Sequence, residues 1–180
     1  MDLQELNLAF KNSPFPDGRW GASDTALARG LQRFAASPLG SLTIRKLVPL
    51  DRKVLLRSQG RYTVLGPFGS PMLLLTVAGR KSGLPRTTPL VYLPDGDALL
   101  VVGSNFGQER HPAWALNLSA NNEATIAIRG EQFEVLAQEL EGEARERAWK
   151  LFTELAKPYE AYGDRTSRHI KVFALRKVVA

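Results

Sequence analysis

The chain has 180 residues and a formal net charge of +6, from 24 Lys and Arg against 18 Asp and Glu, and it contains no cysteine. Without thiols there are no disulfides, thiolate nucleophiles, iron–sulfur ligands or cysteine zinc sites, and a chain of this length can bury enough surface to fold without such staples. A basic balance favours anionic partners but does not choose among phosphates, carboxylates, acidic lipids and nucleic acid; the aromatic residues are not interleaved with the cations as a base-stacking platform requires, so no nucleic-acid partner is expected.

Residues 1–22 read as an irregular arm, because SPFPDG carries two prolines and an Asp-Gly turn signal. The arm lacks the basic and long apolar regions of a secretory leader. No stretch reaches the roughly 20 apolar residues of a membrane span, and the lack of cysteine suits the expected cytoplasmic location. Ser23 or Asp24 then caps a helix over TALARGLQRFAAS, with Leu27, Leu31, Phe34 and Ala35 near one face. Pro38 and Gly40 break that pattern, and a second short helix is expected over LTIRKLV. Arg45, Lys46, Arg52, Lys53, Arg57 and Arg61 cluster here with only Asp51 to offset them. Two readings of the cluster stand side by side: a helix that turns its charge to water, and peripheral contact with an acidic membrane surface, at its inner face. Residues 1–52 are accordingly taken as an N-terminal arm with basic amphipathic helices, and 53–180 as the main domain.

From Lys53 onward the signals turn to strand. VLLRS, RYTVLG, MLLLTVA, TTPLVYL, ALLVVGS, ATIAIRG and EQFEVLAQEL are short, rich in Val, Leu, Ile, Thr and Tyr, and separated by Gly, Pro, Asp or Asn. Pro94-Asp95-Gly96-Asp97 and Arg129-Gly130 read as hairpin turns. Hairpins at this spacing predict a mainly β (α+β) fold, an antiparallel sheet or barrel with flanking helices. One helix is expected over HPAWALNLSAN, opened by its proline. A second is expected over EARERAWKLFTELA, with Ala144, Ala148, Leu151, Phe152 and Leu155 on one stripe and Glu143–Arg147 and Glu146–Lys150 pairs on the wet face. IKVFALRKV is the last strand.

Three stretches can carry chemistry. In Gly79-Arg80-Lys81-Ser82-Gly83-Leu84-Pro85-Arg86, three cations and a hydroxyl lie at a hairpin end. Gly79 and Gly83 permit positive φ and a close approach of backbone N–H groups to a ligand. The octapeptide is either an exposed basic turn or an anion clamp, and it is not a P-loop, whose residue order is absent. The stretch from Gly103 to Leu118 leaves an apolar strand, crosses a polar loop and enters a helix, a step that leaves free N–H groups at the helix start. Trp114 and Asn117, three apart, share a helix face. Near the C-terminus Tyr159 and Tyr162 are also three apart, and their hydroxyls can donate a proton or pack a helix end. Metal chemistry is not expected, since His111 and His169 are the only histidines and no site spacing surrounds them.

Taken together, the run LLLTVAGRKSGLPRTTPLVYLPDGDALLVVGSNFGQERHPAWALNL resembles the deazaflavin-dependent nitroreductase family of the flavin/deazaflavin oxidoreductase superfamily. The matching features are GRKSG, an Arg before TPL, a central DG turn, GSN-x-G, HPAW and NL, in that order. The likeness extends through ATIAIRGEQFEVLAQELEGEARERAWKLF and the tyrosine segment, roughly residues 53–178. It implies a split β-barrel and reduced coenzyme F-420, an 8-hydroxy-5-deazaflavin, as hydride donor to a small-molecule electron acceptor of nitro, quinone or enone class. It further implies that Arg80, Lys81, Ser82 and Arg86 hold the coenzyme's phosphate and acidic tail, and that Thr87, Thr88 and Pro89 line the channel beside it. Val102, Gly103, Ser104 and Asn105 would border the ring, with Ala113, Trp114, Ala115, Leu116 and Asn117 against the ring and its side chain. Tyr159 would close the substrate side with Tyr162 near it, and solvent, Ser104 or Tyr159 would serve as proton source. A homodimer is common for barrels of this kind. The alternatives are the same fold carrying FMN, and a non-catalytic module that binds the coenzyme or a membrane surface.

Overall fold

The computed structural model describes residues 3–19, 38–64, 71–155 and 157–178. The helix expected from Ser23 or Asp24 lies outside them. Six antiparallel strands form a closed barrel in the order β1-β2-β3-β6-β5-β4. They are β1 (Met72–Ala78), β2 (Pro85–Asp95), β3 (Ala98–Val102), β4 (Glu123–Ile128), β5 (Glu131–Leu140) and β6 (Val172–Lys177). β4 pairs back onto β1, with Leu75 opposite Ile126, so the sheet has no free edge there. Around the barrel lie α1 (Leu3–Asn12), α2 (Pro38–Arg57), α3 (Ala113–Ala120), α4 (Gly142–Leu155) and α5 (Lys157–Asp164).

The expected hairpins form where the turn chemistry places them. Gly96 adopts φ +61 between Asp95 and Ala98, which face each other across the ladder. Arg129 (φ 51) and Gly130 (φ 88) turn β4 into β5 with two consecutive left-handed residues, the geometry that matches strand twist. Leu73, Leu75, Tyr92, Leu99, Ile126, Ile128, Val135 and Phe173 share one core. β3 is buried along its whole length, which is why its sequence, ALLVV, shows no alternation. On α4 the fully buried residues are Ala148 and Phe152. Arg147 does not pair with Glu143 as expected; it reaches Asp95 of the β2–β3 turn through two bonds, of 3.0 and 2.6 Å. Lys150 pairs forward with Glu154.

Four expectations toward the N-terminal end are corrected. The arm is not irregular throughout: α1 buries Leu6 and Phe10 in the main core, and Phe15 follows them. Tyr92, inside the barrel wall, accepts the Gly18 N–H (2.7 Å) and donates to the Pro16 carbonyl (3.1 Å), which pins the arm to β2. A Cβ on Gly18 would lie 2.7 Å from the Tyr92 hydroxyl, so only glycine fits. Burial holds the Tyr92 phenol well above its usual value, so it stays protonated as a donor.

The second correction concerns VLLRS, expected as a strand: residues 54–57 are the last turn of α2, which runs unbroken past Pro49 and through the 52/53 boundary. Asp51 and Leu55, four apart, are both buried, a helical period that a five-residue apolar run cannot reveal. Pro38 starts this helix instead of ending one, at the position where its missing N–H costs nothing. Arg61–Val64, expected as strand, is a connection tied to α2, because Asp51 accepts bonds from the Thr63 hydroxyl and the Val64 N–H, both 2.6 Å. Leu55 packs with Leu74 and Ala127 in a satellite core that seats α2 on β1 and β4.

Candidate active site

Residues 79–84 join β1 to β2. The Gly79 N–H donates to the Leu84 carbonyl (2.9 Å), and the Ser82 and Gly83 N–H groups donate to the Gly79 carbonyl at 3.0 and 2.7 Å. Gly83 sits at φ +67, where other residues are strained. Gly79 has no positive φ; a Cβ there would lie 2.9 Å from Ser82 Oγ and 3.3 Å from the Leu84 carbonyl, so a side chain would crowd the turn. The tight loop leaves Arg80, Lys81, Ser82 and Arg86 exposed. Its position is fixed from α3: buried Asn117 accepts the Arg80 N–H through Oδ1 at 3.2 Å.

Between this turn and α3 opens a cleft of about 730 Å³. Of the residues implied for coenzyme binding, Arg80, Lys81, Ser82, Arg86, Thr87, Thr88, Ala113, Trp114 and Asn117 line it. Trp114 and Asn117 share the α3 face, as their spacing predicts, and Trp114 also packs on Phe173 at 5.8 Å. Pro112, extended at φ −63 and ψ 144, caps α3. Thr87 is held by a 2.8 Å bond between its hydroxyl and that of Thr76. No Asp or Glu lines the cleft, and Arg80, Lys81 and Arg86 make no ion pair among the described residues. The sequence reading missed two further lining residues, Arg52 and Leu56, which α2 contributes. Only the fold brings α2 to β2: Arg52 was legible as one of a basic cluster but not as a cleft residue, and no local signal marks Leu56.

The other implied residues lie outside this cleft. Val102 and Ala115 are in the core, and Pro89 and Leu116 are half-buried. Gly103 lies where a Cβ would meet the Ala115 side chain and the Lys171 carbonyl, both at 3.3 Å, so the end of β3 touches α3 directly. Ser104 and Asn105 open a short 3-10 turn, Asn105–Gly107, in which Asn105 (φ 47) and Phe106 (φ 56) are both left-handed. The Asn105 amide donates to the Arg110 carbonyl at 2.8 Å. Phe106 is 65% exposed and meets Tyr162 edge-on at 5.8 Å.

Arg168, given no role by the sequence reading, holds this connection to the C-terminal segment. Its guanidinium donates to the carbonyls of Gly103 (3.0 Å), Ser104 (2.6 Å) and Gln108 (2.8 Å) and lies 3.2 Å from His111 Nδ1. Burial, then the nearby Arg168 and Lys171 charges, hold the imidazole of His111 below its usual range. A neutral imidazole can accept from Arg168 through Nδ1.

Tyr159 and Tyr162 lie together on α5, with ring centroids 5.7 Å apart. Tyr159 packs on Phe152 (5.2 Å) and Trp149 (6.4 Å). Burial, with a smaller contribution from Tyr162, pushes its phenol well above the usual value, so it keeps its proton and cannot act as a base at neutral pH. Among the described residues there is no group of His, Cys, Asp and Glu that could hold a metal.

A closed six-stranded antiparallel barrel with flanking helices is the split-barrel architecture of the flavin and deazaflavin oxidoreductases. More narrowly, the chain belongs to the F-420H(2)-dependent quinone reductase family, whose sequence model matches residues 51–177. The F-420H(2)-dependent quinone reductase of Mycobacterium tuberculosis is 36% identical over 135 residues, 73% of this chain and 91% of the relative. Among solved structures, an F-420-H2 dependent reductase (FDR-A) is 36% identical with a TM-score of 0.54, over 59% of this chain and 94% of that one. Another, described as a domain-swapped dimer, is 31% identical with a TM-score of 0.56, over 78% of this chain and 100% of that one.

The donors on the cleft wall fit an anionic, flat coenzyme. Three turn cations lack acidic partners among the described residues, the Thr87 and Thr88 hydroxyls lie beside them, and the Trp114 indole supplies apolar area.

Proposed function

We propose that this protein reduces a quinone-type acceptor at the expense of reduced coenzyme F-420. When bound, the coenzyme supplies the hydride, and the protein contributes binding, orientation and exclusion of water. The observation that carries this reading is the cleft itself: one wall is a basic turn locked by Gly79, Gly83 and Asn117, the other is Trp114, and among the described residues no carboxylate lies on either. Arg80, Lys81, Ser82 and Arg86 bind the coenzyme's phosphate and acidic tail, each good charge-assisted bond contributing roughly 1.5–3 kcal/mol. Thr87 and Thr88 bond along the linker. Gly103 and Ser104, close to α3, border the ring on the side away from the turn.

The acceptor then lies on the side of Ser104, Tyr159 and Tyr162. In this reading Tyr159 supplies a proton to the reduced acceptor; its packing on Phe152 and Trp149 and its protonated phenol support that role. Tyr162 and Phe106 add flat apolar surface suited to a quinone ring. The reading includes a cytoplasmic protein and a homodimer; support for the latter is the related structure described as a domain-swapped dimer. No helix among the described residues is long and apolar enough to cross a membrane.

The test is turnover with purified components. Reduced F-420 and a soluble naphthoquinone should react only in the presence of the protein, with loss of rate in Arg86→Ala. Tight coenzyme binding without turnover on any quinone would favour the non-catalytic module instead.

A further inference from the structure

We propose that Arg52 forms a second anion subsite in the cleft, separate from the basic turn, and that it takes a carboxylate of the coenzyme's acidic tail. This rests on the F-420 reading of the same cleft and extends it to a residue outside the barrel. Arg52 lines the cleft with Arg80, Lys81 and Arg86 but is carried by α2. Its Nη2 lies 3.5 Å from the Thr87 carbonyl, at the outer limit of a hydrogen bond. That contact engages one of the five guanidinium N–H donors, and Arg52 makes no ion pair among the described residues.

Its backbone is nevertheless fixed. Asp51 before it is 5% exposed and bonded to Thr63 and Val64, and Leu55 after it is 2% exposed against Leu74 and Ala127. A fixed backbone keeps the guanidinium within reach of the cleft, and the ordering cost on meeting a ligand is confined to the side chain.

Charge counting points to a second anionic group. A phosphate in diester linkage carries a single negative charge, and the turn already offers Arg80, Lys81 and Arg86 to it. A fourth cation facing the same space without an acid is repelled by the other three unless a further anion enters. A guanidinium matches a carboxylate in a planar, two-bond geometry.

The experiment is a fluorescence titration of three ligands: intact F-420, the same deazaflavin ending at its phosphate, and the deazaflavin riboside without phosphate. Arg52→Ala should weaken intact F-420 about tenfold, the loss of one charge-assisted bond, and leave the other two within about twofold of wild type. Arg52→Lys should recover part of the affinity, and the tenfold gap should narrow at high salt. Equal weakening of the phosphate-terminated ligand would overturn the subsite, as would no change for intact F-420. Arg86→Ala separates this from the underlying reading. If it weakens both phosphate-bearing ligands while Arg52→Ala weakens none, the Arg52 subsite alone falls. If the wild-type protein binds none of the three, the coenzyme reading falls with it. Melting temperature is followed in parallel, and should Arg52→Ala unfold, Arg52→Gln takes its place in the same comparison.

Discussion

Asn117 illustrates how much one side chain fixes. It sits on the buried face of α3 and accepts the Arg80 N–H, so it sets the position of the turn that carries the cations. Its spacing from Trp114 was legible in the sequence; its bond across 37 positions was not, because contacts at that range depend on how the barrel closes. Asn117→Ala removes the acceptor and should raise the dissociation constant of F-420 severalfold while costing about 1–3 kcal/mol of stability, measured by denaturant titration. Unchanged affinity would mean that the turn holds its shape alone. Tyr159 gives a second prediction. Because its phenol is held up by burial and by Tyr162, it keeps its proton across the neutral range. The pH profile of kcat/KM should therefore show no limb from this group between pH about 6 and 9. Tyr159→Phe should lower kcat by about a hundredfold if the phenol delivers the proton. A kcat within about twofold of wild type would assign that proton to Ser104 or solvent.

Among the elements, the hairpins were legible and α2 was not. Asp-Gly and Arg-Gly turns carry their own backbone requirement, so Gly96 and Gly130 place their turns from local chemistry alone. VLLRS, by contrast, is apolar over too short a run to distinguish periods of two and four. The deciding facts, burial of Asp51 and Leu55 on one face, come from packing on β1 and β4. The arm was misread for the same reason: its helix gains stability from Phe10 and Tyr92, which meet at 5.8 Å across 82 positions of sequence. The Gly103–His111 connection is held by a residue distant in sequence, Arg168. Arg168→Ala removes three bonds to carbonyls and should speed amide exchange at Gly107 and Gln108, whose own bonds run to Ser104 and Asn105. On the proposed reading the acceptor lies beside Ser104, away from the anion turn, so Arg168→Ala should raise KM for the quinone more than it changes F-420 affinity. Exchange rates equal to wild type would show that the connection is held without it.

Across the whole molecule, carboxylates with partners set the acid limit of stability. Burial raises the Glu139 carboxyl, but bonds from Lys171 (2.5 Å) and Ser119 (2.7 Å) outweigh it, and the net shift is downward. For Asp17, burial likewise raises it, and the bonds from Arg19 prevail. Both folded values lie below the unfolded ones, so the unfolded chain binds more protons in the acid range. Their contribution is complete above the ordinary values of 4.5 for Glu139 and 3.8 for Asp17, and is lost as pH falls through the lowered folded values. The melting temperature should therefore drop below about pH 4.5, and Glu139→Gln should flatten that drop. An equally steep fall in the variant would place the acid sensitivity elsewhere.

The account as a whole depends on what enters the cleft between the Gly79–Leu84 turn and α3. Its most direct test is a fluorescence titration of the purified protein with F-420, run beside the same titration with FMN. Micromolar or tighter binding of F-420, weakened by Arg86→Ala, with FMN much weaker, is the expected result. Binding of FMN in preference to F-420, or no binding of F-420 at micromolar concentration, would contradict it.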